Sequence, residues 1–292
     1  MNLKTTTHIG LISDTHMPER CFAFPPSLAQ VFNDVDLIFH AGDVGELWVL
    51  DQLSEFAPVF AVQGNDDTED AQRELPLQQV ITIGGRRILL WHSHYPDRID
   101  EQTSRTDPLR PKLTRIAQHA KRAGATVAIF GHWHLPLVYE QDGVLLINPG
   151  TLELGNAAIR QLIQTVALLE LHADGRVQVT HVDLARPQEV FVPQIDFDAG
   201  FRAAMAQFTR DMRAPALQAD SPRLWAALNE ILPESARKAF FQALNRAAHP
   251  FWLDQQQGIT HQEWIAAVQA ADELPTEVRQ RLMDAIAGRP SK

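Results

Sequence analysis

The residues able to do chemistry fall in five short motifs. They are Asp14-Thr15-His16, Gly42-Asp43, Gly64-Asn65-Asp66-Asp67, His92-Ser93-His94 and Gly131-His132-Trp133-His134. Flanking residues aside, they offer Asp14, Asp43, Asn65, His16, His92, His132 and His134. Carboxylate oxygen, amide oxygen and neutral imidazole suit Mn, Fe, Zn, Ni or Co. The single cysteine, Cys21, argues against a thiolate site. Seven donors are too many for one tetrahedral ion, and they suit two ions about 3.5–4 Å apart that share a carboxylate. Each motif alone reads as a capped turn or a surface strand end. All five in one order are hard to explain that way.

The segments before these motifs must position them. HIGLIS at His8–Ser13, DLIFH at Asp36–His40, PVFAV at Pro58–Val62, the run from Arg86 and the run from Thr126 to Phe130 read as buried strands. Each delivers a polar group as it leaves the sheet, and ligand sites of open α/β sheets gather at the carboxyl ends of strands. Helical spacing marks Ser27–Phe32, Glu46–Phe56 and Lys112–Ala123. Gly84-Gly85, Asp142-Gly143 and Asp174-Gly175 mark three hairpins. Strand–helix alternation followed by hairpins implies a mixed sheet system with helices outside. Tyr95–Pro111, polar and with three prolines, reads as an exposed loop and a candidate lid.

Beyond about Pro193 the pattern turns helical. Candidates are Phe197–Met212, Arg223–Leu232, Glu234–Ala247, His261–Ala271 and Thr276–Ala287, with a capping box at Thr260 and Glu263. A boundary near 185–200 is expected, giving domains 1–190 and 195–292. Trp225, Phe240, Phe241, Trp252 and Trp264 are candidate core residues of the second.

The 292 residues carry a net charge of -10, and residues 1–190 hold 24 acidic against 15 basic side chains. Such a chain is a poor general binder of nucleic acid or anionic membrane. No apolar run is long enough to span a bilayer, and Met1–Thr7 lacks an apolar core of the signal-peptide kind. A soluble, cytoplasmic protein is the expectation.

D-x-H, G-D, G-N, H and G-H-x-H, in that order from Asp14 to His134, resemble the calcineurin-like metallophosphoesterases. With the Asn148-Pro149-Gly150-Thr151 turn, the series is most similar to their small bacterial and archaeal phosphodiesterases. The resemblance implies an α/β (α+β) fold: a four-layer αββα sandwich over residues 1 to about 185, followed here by a C-terminal all-α domain outside the resemblance. It implies two divalent metal ions, Mn first among the candidates. Asp14, His16 and His134 would hold one, Asn65, His92 and His132 the other, and Asp43 would bridge them. Two carboxylates against four positive charges would leave the site near +2 and attract a phosphate ester. A hydroxide bridging the two metal ions would then attack phosphorus, and a phosphodiester is the expected substrate. Metal affinity should fall below the usual histidine pKa near 6.5.

Many members carry a histidine after the G-N pair as a general acid. Here Asp66 stands there, so Asp66 and His94 are the catalytic candidates for the leaving group. His40 is a core histidine or an outer partner of the centre. Trp133 could stack on a substrate ring or simply pack. Arg98, Arg105 and Arg110 could clamp phosphate or lie solvated. The helical region could cover the site, bind a partner or form a homo-oligomer. The alternative function is a non-catalytic binding or assembly module on the same fold. Such modules typically lose ligands, and this chain keeps all seven.

Overall fold

Short apolar runs need cover on both faces, and parallel strands between helices provide it. The computed structural model describes residues 6–253 and 258–289, apart from the Arg98 side chain. The elements of the first part are β1 (Thr6–Ile12), α1 (Ser27–Val31), β2 (Leu37–His40), α2 (Trp48–Ser54), β3 (Val59–Ala61), α3 (Glu69–Glu74), β4 (Gln78–Ile83) and β5 (Arg86–Trp91). Then come α4 (Arg98–Ser104), α5 (Leu109–Arg122), β6 (Val127–Phe130), β7 (Leu137–Gln141), β8 (Val144–Asn148), β9 (Ile159–Gln161), β10 (Thr165–His172) and β11 (Val177–Asp183). One five-stranded sheet has the order β11-β10-β1-β2-β3, the other β4-β5-β6-β8-β7. Strands β1, β2 and β3 run parallel, as do β5, β6 and β8.

Alternation along the strands builds four layers. Ile9, Leu11 and Phe39 of the first sheet meet Ile88, Leu90, Val127 and Ile129 of the second in one apolar cluster. The opposite face of the first sheet is covered by α1 and α2 through Leu28, Val49 and Leu53. The opposite face of the second is covered by α5 through Leu113, Ile116 and Ala120 against Ala128 and Phe130. The αββα sandwich is therefore present. Each buried Ile or Leu contributes roughly 1.5–3 kcal/mol. Gly10 lies flat under the Phe32 ring, where a Cβ would sit 2.9 Å from a ring carbon. Gly84-Gly85 and Asp142-Gly143 turn with positive φ at both residues, as tight hairpins of the right twist require.

Tyr95–Pro111 is not the exposed loop its prolines suggest. Asp97 accepts the N–H groups of Ile99 and Asp100 and starts α4. Pro111 falls in the first turn of α5, where its missing N–H costs nothing.

The compact units run differently from a single cut near 185–200. Met1–Glu153 with Ile163–Phe208 form one, and Leu154–Leu162 with Thr209–Lys292 the other. Phe191, Ile195, Phe197 and Phe201 pack on the cluster beneath α5, which keeps that aromatic stretch in the first unit. It holds only a short helix, α6 (Phe201–Met205), not one over Phe197–Met212.

The second unit contains β12 (Thr209–Asp211), paired with β9, and helices α7 (Pro215–Ile231), α8 (Glu234–Leu253), α9 (His261–Gln269) and α10 (Thr276–Ile286). Helix α7 begins at Pro215 and runs through Pro222 instead of opening there. The Thr260–Glu263 capping box opens α9. Phe240, Trp252 and Trp264 are buried in its core, whereas Trp225 is exposed and stacks on Phe241. No helix among the described residues is long and apolar enough to cross a membrane.

Ile129 is wholly buried between the two sheets. Ile129→Ala should cost about 2–5 kcal/mol in urea unfolding. A loss under about 0.5 kcal/mol would contradict its place there.

Candidate metal centre

The strand tips continue side by side after the sheet ends. Asp14 N–H donates to Gly42 O, His16 N–H to Asp43 O and Met17 N–H to Val44 O, at 2.9, 2.9 and 3.1 Å. His40 holds the two tips from beneath. Its Nδ1 accepts Gly42 N–H at 3.2 Å, so its Nε2–H is the one that donates to Thr15 Oγ1 at 3.1 Å. Burial pushes this imidazole down to about 3, so it is a neutral core histidine.

The backbone is strained where the side chains converge. Asp14, His16, Asp43, His132 and His134, five of the seven expected ligands, have φ between 47° and 72°. Such conformations cost about 1–3 kcal/mol each in non-glycine residues and persist where surrounding structure enforces them. The G-H-x-H turn leaves strand geometry at its histidines rather than at Gly131. Gly131 is needed for another reason, since a Cβ there would lie 2.5 Å from Ala41 O.

Three overlapping groups of side chains result among the described residues, one of them joining His16 and Asp43 to the exposed Asp66. Asp14, His16 and His134 bring one donor atom each within 4.8 Å of one another, and so do Asp43, His92 and His132. Asp43 lies between them, its Oδ2 3.5 Å from His16 Nε2 and 3.2 Å from His92 Nε2. Asp43 Oδ1 accepts the Asp66 N–H at 2.8 Å. Asp14 Oδ1 is 3.1 Å from His134 Nε2, and its carboxylate also accepts His132 N–H.

His92 provides the sharpest test of whether a cation fits. Its Nδ1 lies 2.7 Å from Ala41 O and must carry the proton, because a carbonyl can only accept. Its Nε2 is wholly buried, faces the two carboxylates and has no hydrogen-bond partner. Facing two carboxylates, that nitrogen needs positive charge beside it, either its own proton or a bound cation. The field agrees. Burial opposes charge on His92 and His134, but Asp43 and Asp14 push His92 up to about 9. Glu153 and Asp14 push His134 up to about 10. Burial likewise opposes ionisation of Asp14, yet His134 holds it at about 2.

Three charged residues escaped the sequence reading. Glu153, fully buried, lies 2.7 Å by Oε1 from His134 Nδ1. It sits just after the Asn148-Pro149-Gly150-Thr151 turn, which is clamped by Thr151 Oγ1 donating to Asp14 O at 2.9 Å. Arg20 pairs with Glu153 at 3.0 Å and Asp66 at 2.8 Å and lies against the His16 ring. Glu101 of α4 is 2.8 Å by Oε1 from His132 Nε2. Burial opposes its charge, but the His132 hydrogen bond holds its carboxyl at about 2. Of the three, only Glu153 had a nearby signal, two residues after the Asn148–Thr151 turn.

Asn65 is exposed at the β3 tip, and its amide donates to Asp66 Oδ1 at 2.9 Å. His94 is half-buried, with its Nδ1 unpartnered and its pKa lowered to about 4 by burial and then by His92 and His132. Trp133 is buried against Phe130 and Phe201, so it packs and does not offer a stacking face. Arg110 binds Asp198 and Tyr139, and Arg105 lies 3.9 Å from Glu101, so neither points to a phosphate. The Arg98 side chain lies outside the described residues.

The raised imidazoles shift the expected pH dependence of metal binding upward from 6.5. In metal-free protein, the stabilising charge on His92 and His134 is fully present below 6.5. It is lost as pH rises through about 9 and about 10. A metal must displace those protons. Mn2+ titration at pH 7 should release about two protons per chain, counted by calorimetry in buffers of different ionisation enthalpy. Affinity should keep rising toward pH 9. No proton release at pH 7 would sink this account.

Residues 8–174 match the family described as "Calcineurin-like phosphoesterase superfamily domain". A probable metallophosphoesterase of Methanocaldococcus jannaschii is 36% identical over 146 residues, 50% of this chain and 68% of that one. A second, from Methanothermobacter thermautotrophicus, is 37% identical over 143 residues, 49% of this chain and 76% of that one. A phosphodiesterase of Methanocaldococcus jannaschii is 26% identical over 159 residues, 49% of this chain and 82% of its own length. Among solved structures, vacuolar protein sorting 29 from Cryptosporidium parvum superposes with a TM-score of 0.47 at 19% identity, covering 61% of this chain and 98% of that one. With two buried carboxylate–histidine groups at the tips of its sheets and a family match over more than half its length, the chain belongs to the calcineurin-like phosphoesterase superfamily.

Proposed function

We propose that the chain is a metal-dependent phosphodiesterase with a binuclear centre. Asp14, His16 and His134 hold one ion, Asn65, His92 and His132 the other, and Asp43 lies between the two. Mn2+ is the first candidate for both, with Fe, Zn, Ni and Co next, since oxygen and imidazole donors suit them all. The observation that carries the reading is the buried, unpartnered Nε2 of His92 facing Asp43 and Asp14. When bound, two divalent ions supply the Lewis acidity that activates water near neutral pH and offsets charge on phosphate oxygens.

The protein's own residues do the rest. Glu153 accepts from His134 Nδ1 and fixes the ring with Nε2 toward Asp14. Arg20 offsets the charge of Glu153 and Asp66. Asp66 is already engaged by Arg20 at 2.8 Å, which leaves His94 as the better leaving-group acid. His94 Nδ1 has no protein partner to give up when substrate arrives. Its imidazole is neutral at pH 7, and an anionic phosphate beside it would favour the protonated form.

A diester is favoured over a monoester on two grounds. One is the phosphodiesterase among the relatives. The other is charge. Glu101, Glu153 and Asp66, set against Arg20, offset the +2 surplus that two ions would leave on Asp14 and Asp43. A centre so balanced has little extra attraction for the second negative charge of a monoester.

The test is turnover of a panel of phosphate mono- and diesters with each metal, run beside metal analysis of variants. Asp43→Asn should lose both ions. His132→Ala or His134→Ala should lose metal and activity together. His94→Ala should keep its metal and lower kcat by roughly 100–10,000-fold, the range of a lost proton donor. A full metal equivalent missing from His94→Ala alone would mean that His94 is a ligand.

A further inference from the structure

Three of the rings that face the candidate centre are held from behind on their other nitrogen. His92 is held by Ala41 O and His134 by Glu153, both at strand tips. His132 is held by Glu101, which belongs to neither sheet. We propose that Glu101 is a positioning residue for one of the two metal sites, through its grip on His132 Nε2. The inference rests on His132 being a ligand.

The tautomer follows from the contact. A carboxylate can only accept, so the proton lies on Nε2, and Nδ1 is the nitrogen left with a lone pair for an ion. His132 belongs with Asp43 and His92 in one group of donor atoms, and Glu101 is not among them. Glu101 therefore acts from outside, in the manner of carboxylates that orient metal-ligating histidines and raise their basicity.

The seat of Glu101 is built, not incidental. Its Oε2 accepts Tyr95 N–H at 3.1 Å, so both oxygens are used. Helix α4 is capped by Asp97 at its start and held at its end by Lys112, whose Nζ donates to Ser104 O and Oγ at 3.1 and 2.9 Å. Lys112 is itself buried, with the Tyr95, Trp133 and Phe201 rings within 5.7 Å. Arg115 donates to Ser93 O and His94 O and lies over the Tyr95 ring. Two cations of α5 thus hold the 93–104 segment where Glu101 meets His132. Metal retention at that site then depends on the seating of α4.

Mn2+ titration of chelator-stripped full-length protein tests this, followed by the EPR signal of unbound Mn2+. Glu101→Ala should weaken one site by roughly 10–100-fold and leave the other unchanged. Glu101→Gln keeps an acceptor oxygen for Nε2–H and should recover most of the loss. Activity of Glu101→Ala should return toward wild type at saturating Mn2+, with KM for substrate little changed. His132→Ala is the reference and should lose that site outright. Glu101→Ala that binds both ions within twofold of wild type, while His132→Ala loses one, would overturn the proposal alone. His132→Ala that keeps both ions would overturn it together with the ligand assignment on which it rests.

Discussion

Asp14 and Asp43 are carboxylates with no access to water, and the rest of the centre answers their charge. An isolated carboxylate in a protein interior costs many kcal/mol unless it is paired and hydrogen-bonded. Backbone N–H groups of His132 and Asp66 meet part of that cost, and the imidazoles of His92 and His134 meet more by holding protons far above their usual range. Divalent cations answer the same demand with more charge. The preference for a cation is thus set by burial of the two aspartates before any histidine is counted.

Burial of this kind needs the strand tips to bend sharply. A regular strand would send alternate residues to opposite faces, and D-x-H and G-H-x-H would split their ligands. Left-handed backbone at Asp14, His16, His132 and His134 brings both members of each pair to one place. The strain is borne by hydrogen bonds between tips: Asp14 to Gly42, His16 to Asp43, and Thr151 and Glu153 to the Asp14 carbonyl. Glycines serve by their lack of a side chain. Gly64 leaves room for the Asp43 carboxylate, which a Cβ would meet at 2.0 Å.

The candidate donors stood out in the sequence because metal donors are few residue types and each sits directly after an apolar strand. The strands and the hairpins were legible because apolar runs and turn glycines are local signals, whereas the two-sheet sandwich followed from the family resemblance. What stayed hidden is set by distant contacts. Glu101 and Arg20 look like surface charges until α4 is folded, and α4 itself was masked by prolines at positions 96, 108 and 111. The Phe197–Met212 stretch looked like the start of the helical region, because only three-dimensional packing assigns Phe197, Phe201 and Phe208 to the outer face of the second sheet. Trp225 carried helical spacing toward a core it does not enter.

The centre draws on both sheets, and this ties its geometry to the apolar core between them. Asp14, His16, Asp43 and Asn65 follow β1, β2 and β3, whereas His92, His132, His134 and Glu153 follow β5, β6 and β8. Two of the donor groups therefore include residues from both sheets: Asp14 with His134, and Asp43 with His92. No local element fixes the distance between them. It is fixed by Ile9, Leu11, Phe39, Ile88, Leu90 and Ile129, packed to the density of a solid between the sheets. Metal ligation tolerates only a few tenths of an ångström, so a lost methyl group in this layer acts on the donor spacing as well as on stability. The core and the centre are in this sense one structure, with the packing between the sheets setting the distances at which the carboxylates and imidazoles meet.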